Sequence, residues 1–323
     1  MKSQDVRSFT AAGAMPWKLL QIKEQCITPD KRIIPIHIQL IPTNKCNGTC
    51  PWCSCSGVDR SLEMPIEEIR ELVEFFAARG TRAVTITGGG EPTLHPNFLE
   101  IIATFKKFGI SIGLVSNGIR WGKSEKIEGA EFLSGAIEWT RISTMDTTIN
   151  GEQPDWLDNI ASQLQTHFGV SFTCGEGVSV ELAKRVARVA HKHLNVTHVR
   201  FVQDILDPND ERLKAVEEAT TSITDKGIYQ YRSAYTSGAP RCLIALLKPM
   251  IDVTGQIYPC CGVQYANEAA GLRTMPSAFQ MGHWREYDSM RHFNGSLCTK
   301  CYYEQYNTTL AGLTQQLKSV YHV

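Results

Sequence analysis

Short apolar strands alternate with amphipathic helices along this chain of 323 residues, and this alternation restricts the fold more than any other pattern. The predicted strands are rich in Val, Ile and Thr, and most are bounded by Gly or a charged residue. They cover residues 37–42, 82–88, 110–118, 139–146, 169–176 and 198–204. Strands separated by helices at this spacing predict right-handed βαβ units in one parallel sheet, curled or open. Six strands are too few for a complete eight-stranded barrel.

The alternation stops after a predicted helix near residues 211–222. A segment that includes VTGQIYP follows, which predicts a hairpin with Gly255 in its turn, and then a tail that carries cysteines. We therefore predict an α/β protein with an N-terminal extension (1–36), a partial barrel (37–225) and a small module of hairpin and helix (226–323).

Composition restricts the class of protein. Hydrophobic residues make up 42% of the chain, and 33 basic residues balance 33 acidic ones, so total charge gives no indication of nucleic acid or of an anionic membrane. Charged residues interrupt the first 45 positions, and no apolar run reaches 18 residues. We expect a cytoplasmic protein that does not bind a membrane. Most of the eleven cysteines fall into two groups, which in a reducing compartment indicate metal or redox sites.

The first cysteine group follows the first predicted strand directly. Cys46, Cys50 and Cys53 form the pattern CxxxCxxC within TNKCNGTCPWCSC, residues 43–55. Three thiolates on one loop can hold three irons of a [4Fe–4S] cube and leave the fourth iron open for another ligand. A structural zinc site is the alternative, but it usually combines CxxC with a second CxxC or HxxxH. We assign no ligand role to Cys55.

The segment CNGTCPWC resembles the CxxxCxΦC signature of the radical S-adenosylmethionine (radical SAM) superfamily. Three further segments resemble that family's later motifs: TGGGEP follows the second strand, SNG closes the third, and RIS lies within the fourth. In the fourth-strand motif this chain departs from the family's Ser-x-Asp, since two residues separate Ser143 from Asp146. The resemblance implies that SAM is contacted by Trp52, Gly89, Gly90, Glu91, Ser116, Asn117 and Ser143.

The second cysteine group resembles the twitch module, a short relative of the SPASM domain that follows many radical SAM barrels. Its pattern runs from Cys242 through Gly255 to Cys260, and then to Cys298 and Cys301. The resemblance implies one auxiliary [4Fe–4S] cluster held by these four cysteines. A zinc site built from the same residues remains an alternative, and Cys261 could replace its neighbour Cys260, although only one of the two would reach the cluster.

The resemblance also implies a reaction. SAM binds the open iron and is cleaved reductively to methionine and a 5′-deoxyadenosyl radical, which removes a hydrogen atom from an unactivated C–H bond of the substrate. The auxiliary cluster would relay or accept an electron, which favours oxidation, cross-linking or epimerisation. An electron donor such as flavodoxin or ferredoxin is implied. Fewer than fifty residues precede the cysteine loop, which weakens the case for a leader-guided peptide.

We expect the substrate to be a peptide or a small metabolite. A nucleoside or nucleobase is the alternative, and nucleic acid stays open as a partner. Substrate contacts are expected at the carboxyl ends of the later strands, from Asp146, Glu176, Arg200, Gln203 and Asp204. Cys174 is a candidate hydrogen-atom donor, as the resemblance to radical SAM epimerases suggests. Two other classes compete with this interpretation: a zinc-stabilised binding protein and an iron–sulfur electron carrier.

Overall fold

The computed structural model describes residues 15–29, 32–50, 52–122, 130–144, 155–164, 166–205, 207–232, 236–265 and 274–315. The strands are β1 (His37–Leu40), β2 (Ala83–Ile86), β3 (Ser111–Ser116), β4 (Trp139–Thr144), β5 (Phe168–Cys174), β6 (Val196–Gln203), β7 (Gly227–Gln230), β8 (Met250–Ile251), β9 (Gln256–Tyr258) and β10 (Gly282–His283). The helices are α1 (Met15–Cys26), α2 (Ile66–Ala78), α3 (Phe98–Lys107), α4 (Ile119–Gly122), α5 (Ala130–Ala136), α6 (Asp155–Gln163), α7 (Val180–Lys192), α8 (Asp210–Thr220), α9 (Ile244–Leu247) and α10 (Glu304–Thr314).

One sheet runs through the protein, with the strand order β10-β9-β8-β1-β2-β3-β4-β5-β6-β7. Strands β1 to β7 are parallel to their neighbours, and each of the six predicted strands overlaps one of β1 to β6. The sheet is open, because no pairing joins its two ends among the described residues. This arrangement confirms the predicted α/β class and the partial barrel.

The helices cover one face of this sheet. Alternate strand residues such as Ile38, Ile86, Ile142 and Phe201 pack with the apolar sides of α2, α3 and α5 to α8 in the largest core cluster. Side chains alternate between the two faces of a strand, so the intervening residues belong to the opposite face, which we call the inner face. Its members include Gln39, Thr85, Trp139, Arg141, Ser143, Ser171, His198 and Arg200.

Parallel pairing continues beyond residue 225, the predicted end of the barrel. β7, which we expected to belong to the separate C-terminal module, pairs with β6 from Val199 to Val202 and forms a seventh parallel strand. β8 then pairs in parallel with β1 at the other edge, and the predicted hairpin of β8 and β9 turns at Gly255, where φ is +76°. The module thus shares the barrel's sheet. The boundary itself stays a prediction.

A second apolar cluster joins the two ends of the described chain. Leu19 and Cys26 of α1 pack with Leu247 of α9 and with Tyr306 and Leu310 of α10. The predicted N-terminal extension is therefore held against the cysteine-bearing tail by burial of apolar surface. None of the helices in the described part of the chain is both long and apolar enough to cross a membrane.

Candidate active site

The cysteine loop and the glycine-rich loop lie against each other at the carboxyl ends of β1 and β2. The backbone N–H of Gly90 donates to the carbonyl of Thr43 at 3.1 Å, and that of Glu91 donates to Lys45 at 2.7 Å. A Cβ atom on Gly90 would lie 2.1 Å from the Lys45 carbonyl oxygen. Glycine is therefore required here so that the two loops can approach.

Arg60 clamps these loops together, although no sequence motif pointed to it. Its guanidinium donates to the carbonyls of Asn44 (3.0 Å), Gly89 (2.7 Å) and Cys55 (2.9 Å). One nitrogen also lies 3.9 Å from the Cys53 sulfur. A single planar cation thus fixes both loops and supplies positive charge at one of the predicted iron ligands.

Replacing Arg60 by Met should lower the free energy of unfolding by about 2–3 kcal/mol, because three partly buried carbonyl groups lose their donor. Arg60→Lys should not restore it, since an ammonium group cannot reach the three carbonyls at once. Thermal unfolding and iron content of the anaerobically purified protein measure both effects. Arg188→Met, at an exposed position of α7, is the control. An Arg60→Met protein with unchanged stability and iron content would contradict the clamp.

Glu91 is buried beside the cysteine loop, with 2% of its surface exposed. One carboxylate oxygen accepts hydrogen bonds from the N–H and hydroxyl of Thr93 and from the Ser116 hydroxyl, and the other accepts from the Asn117 N–H at 2.7 Å. Burial raises the pKa of Glu91, and these hydrogen bonds oppose that shift. The carboxylate thereby joins the end of β2 to the end of β3.

The three predicted iron ligands suit a cluster with three protein thiolates. The Asn117 side-chain amide donates to the Cys46 sulfur at 3.9 Å and to the Asn47 side chain at 2.9 Å. Burial raises the pKa of Cys46, while the backbone N–H of Gly48 donates to its sulfur and lowers it. All three thiols are half-buried on one loop, and donors from Asn117 and Arg60 approach two of them. This donor set fits a [4Fe–4S] cube.

Among the described residues, no three His, Cys, Asp or Glu side chains are grouped closely enough to hold one metal ion. Side chains that hold one ion, as in a zinc site, must all lie within bonding distance of that ion. In an iron–sulfur cube each thiolate binds a different iron, so the ligands stand farther apart.

Trp52, the aromatic residue of the cysteine loop, reaches across to the end of β5. A Cβ atom on Gly175 would lie 2.9 Å from its ring. On the inner face, Ser143 of β4 and Ser171 of β5 are paired residues. The Arg200 guanidinium of β6 donates to the Ser171 hydroxyl at 3.1 Å. Trp52, Ser143 and Arg200 are thus placed along one polar surface.

Other predicted residues lie elsewhere. Cys174 is 1% exposed in the helix-side core with Phe172, and burial raises its pKa to about 12, so this placement opposes a role as hydrogen-atom donor on the inner face. Gln203 is fully buried and joins β6 to the backbone of Arg232 and to Asp210, which is a structural role. Glu176 is exposed in the loop after β5. Asp146 lies outside the described residues.

Backbone hydrogen bonds tie together the segments that carry three of the four cysteines of the second group, Cys242, Cys298 and Cys301. Cys242 exchanges backbone hydrogen bonds with Phe293, and Cys301 pairs with Thr236. Burial raises the pKa of Cys242 to about 11 and that of Cys298 to about 12, and the charge of Cys301 raises both further. Half-buried thiols that disfavour ionisation are suited to a bound cation or cluster, which stabilises the thiolates.

Cys260 and Cys261 differ in their surroundings. Burial raises the pKa of Cys260, and the charges of Cys261, Cys242 and Cys298 raise it further. The Cys261 sulfur instead lies 3.8 Å from the Tyr303 hydroxyl. Cys55 is 3% exposed, and Cys261 is among the charges that raise its pKa. The first cysteine loop therefore lies near the second cysteine group, a proximity that no sequence pattern predicted.

The chain matches the Radical SAM superfamily over residues 40–228. The GTP 3′,8-cyclase of Mannheimia succiniciproducens is 40% identical over 139 residues, which are 41% of this chain and 38% of that protein. The sporulation killing factor maturation protein SkfB of Bacillus subtilis is 30% identical over 116 residues, which are 36% of this chain and 28% of that protein. The chain thus spans well under half the length of these two relatives.

A similar fold occurs in SuiB of Streptococcus suis, solved in complex with its precursor peptide SuiA. The TM-score is 0.57 at 15% identity, and the match covers 88% of this chain and 74% of SuiB. At this identity the likeness concerns the fold alone.

Proposed function

The chain belongs to the Radical SAM superfamily, since the family match covers more than half of it, and on that premise we propose that it uses SAM to modify an unactivated C–H bond of its substrate. It is an enzyme whose cofactors are SAM and a [4Fe–4S] cluster. The observation that carries the proposal is the contact of the CxxxCxxC loop with both the Gly-Gly-Glu loop and the Ser-Asn-Gly end of β3.

When bound, the cluster and SAM supply reductive cleavage of the sulfonium and the 5′-deoxyadenosyl radical. The chain's own residues hold and orient these groups. Cys46, Cys50 and Cys53 would bind the cluster, and the Gly89–Gly90 backbone lets a ligand approach closely. Glu91 keeps the Asn117 backbone in place through its hydrogen bond. Trp52 packs against the backbone of Gly175 at the end of β5.

We assign an auxiliary [4Fe–4S] cluster to Cys242, Cys260, Cys298 and Cys301. Burial raises the pKa values of all four thiols, and charges of other members of the set raise those of Cys242, Cys260 and Cys298 further, which supports this ligand set. The Cys261 sulfur lies near the Tyr303 hydroxyl, which supports Cys260 as the fourth ligand. Four protein ligands leave no iron open, so the cluster would accept or relay an electron. An electron donor such as flavodoxin or ferredoxin is then required.

The substrate proposed at this level is a peptide or a small molecule. The similar proteins differ in the ligand that their names indicate. The name GTP 3′,8-cyclase contains a nucleotide, whereas SuiB was solved with its precursor peptide. The substrate would lie over the inner face of β5 and β6, where Arg200 in the middle of β6 donates a hydrogen bond to Ser171 of β5.

The test is incubation of the anaerobically reconstituted protein with SAM and dithionite, followed by measurement of 5′-deoxyadenosine. We expect 5′-deoxyadenosine and methionine in equal amounts, together with iron and sulfide near eight of each per chain, as two cubes require. A colourless protein that binds zinc would refute the proposal. A brown protein that produces no 5′-deoxyadenosine would instead be an electron carrier.

A further inference from the structure

A cavity of about 610 Å³ lies at the amino-terminal edge of the sheet, beside β1. Its walls include Ile34 and Pro35, which precede β1, and Leu246 of α9, which precedes β8. Because β1 and β8 are parallel neighbours, these residues lie at the amino-terminal end of both strands. The cysteine loop and the glycine-rich loop instead follow the carboxyl ends of β1 and β2. The cavity is therefore separate from the candidate active site.

The wall of this cavity is apolar over much of its surface. Ile33, Ile34, Leu246 and Met290 all line it, and each is half-buried, so part of their apolar surface stays in contact with solvent. Tyr287 closes one side, where its hydroxyl donates to the carbonyl of Leu246. Apolar surface that includes Tyr and Met is typical of the centre of a protein–protein interface.

The rim of the cavity carries an excess of positive charge. Arg32, Arg79, Arg241 and Arg291 line it, whereas Asp288 is the one carboxylate among the described lining residues. Arg79 binds this carboxylate with two nitrogens, at 2.8 and 2.5 Å from its oxygens. Arg241 and Arg291 are both exposed, and the described lining residues offer them no second carboxylate. A partner that fits this rim is therefore acidic.

The rim is continuous with the second cysteine group. Cys242 lies between Arg241 and Leu243, which both line the cavity, and it exchanges backbone hydrogen bonds with Phe293. Phe293 belongs to an apolar cluster against which Cys242 and two further cysteines pack. Successive side chains of an extended segment point to opposite sides, so Cys242 faces the cysteine group while Arg241 and Leu243 face the cavity. One layer of backbone thus separates the cavity from an assigned cluster ligand.

The second cysteine group also touches the first cysteine loop, on the side away from the cavity. The Ser54 hydroxyl donates to the Gln264 side chain at 3.5 Å, and Gln264 belongs to the short helical turn that begins at Cys261. An auxiliary cluster held by the four assigned cysteines would therefore lie between the cavity and the first cluster. That position suits the exchange of electrons with a protein seated on the cavity.

We propose that this cavity and its arginine rim dock an acidic electron-carrier protein, of the flavodoxin or ferredoxin type, beside the auxiliary cluster. This deepens the proposed function, which requires an electron donor, and it rests on that function. In each encounter the reduced carrier loses one electron and the auxiliary cluster gains it, and no bond forms or breaks. Complexes of electron-transfer proteins bury little surface, so opposite charges on the two surfaces contribute strongly to the rate of association.

The test is isothermal titration of the anaerobic, cluster-loaded full chain with an acidic flavodoxin and with an acidic plant-type ferredoxin. We expect saturable binding of at least one carrier, weakened by about fivefold or more when the salt concentration is raised. Arg241→Glu and Arg291→Glu should each weaken this binding by about tenfold. The matched controls Arg188→Glu and Lys214→Glu, at exposed positions of α7 and α8, should bind as the parent does. Cytochrome c, a basic carrier, should not bind.

Two further measurements separate docking from folding and from catalysis. The Tm and iron content of Arg241→Glu and Arg291→Glu should equal those of the parent, because both residues are exposed. Reduction of the clusters by the reduced carrier, followed by visible absorbance, should slow in these variants, whereas reduction by dithionite should not. Failure of both carriers to bind, equal binding of cytochrome c, or undiminished binding by the two variants would each overturn the docking surface. Formation of 5′-deoxyadenosine with dithionite needs no carrier, so it tests the proposed function independently.

Discussion

The triple variant Cys46→Ala, Cys50→Ala, Cys53→Ala should form no detectable 5′-deoxyadenosine, because no iron with an open position remains to bind SAM. It should keep the second cluster, whose four assigned ligands lie outside this loop. Iron content should therefore fall from about eight to about four per chain, with sulfide in proportion. Iron and sulfide analysis together with electron paramagnetic resonance of the reduced protein measure this outcome.

The complementary variant replaces Cys298 and Cys301 by Ala and should keep the first cluster. Cys55→Ala is the matched control within the first loop, since its thiol is buried and is not among the assigned ligands. It should retain full iron content. Loss of both clusters in the triple variant would mean that the cysteines are wrongly divided between the two sites, and loss of iron in Cys55→Ala would make that residue a ligand.

Glu91→Gln should lower the free energy of unfolding by about 2–4 kcal/mol and SAM cleavage by about a hundredfold. Its two carboxylate oxygens accept from four donors, three on one oxygen and the Asn117 N–H on the other. An amide in either orientation turns its NH₂ group toward one of these buried donors, so at least one hydrogen bond is replaced by repulsion. Chemical denaturation and 5′-deoxyadenosine formation are the two measurements.

Glu67→Gln is the control, because Glu67 is 72% exposed and its ion pair with Arg70 is a surface pair. Its stability should change by less than about 0.5 kcal/mol. A Glu91→Gln protein as stable as this control would contradict the structural role of the carboxylate. Normal stability with lost cleavage would instead assign Glu91 directly to SAM.

The order of strands, the position of the cysteine loop and the hairpin at Gly255 could be predicted from short windows of sequence. These features depend on local properties: strand propensity, a glycine at positive φ and the spacing of cysteines. Parallel pairing then places the loops that follow successive strands at one edge of the sheet. The same patterns identified the Gly-Gly-Glu and Ser-Asn-Gly segments, which the structure brings into contact with the cysteine loop.

The direction of individual side chains depended on tertiary structure. Cys174 ends β5 and Arg200 lies within β6, and they point to opposite faces, Cys174 into the helix-side core and Arg200 to the inner face. The sequence hides this alternation because both strands are largely apolar and their register shifts at Phe168 and Gly169. Arg60 belongs to no motif. Its role arises from contacts with loops that include one made 29 residues away in sequence. Local chemistry in the sequence indicated the cofactor class, whereas long-range packing decided which side chains lie on the inner face of the sheet.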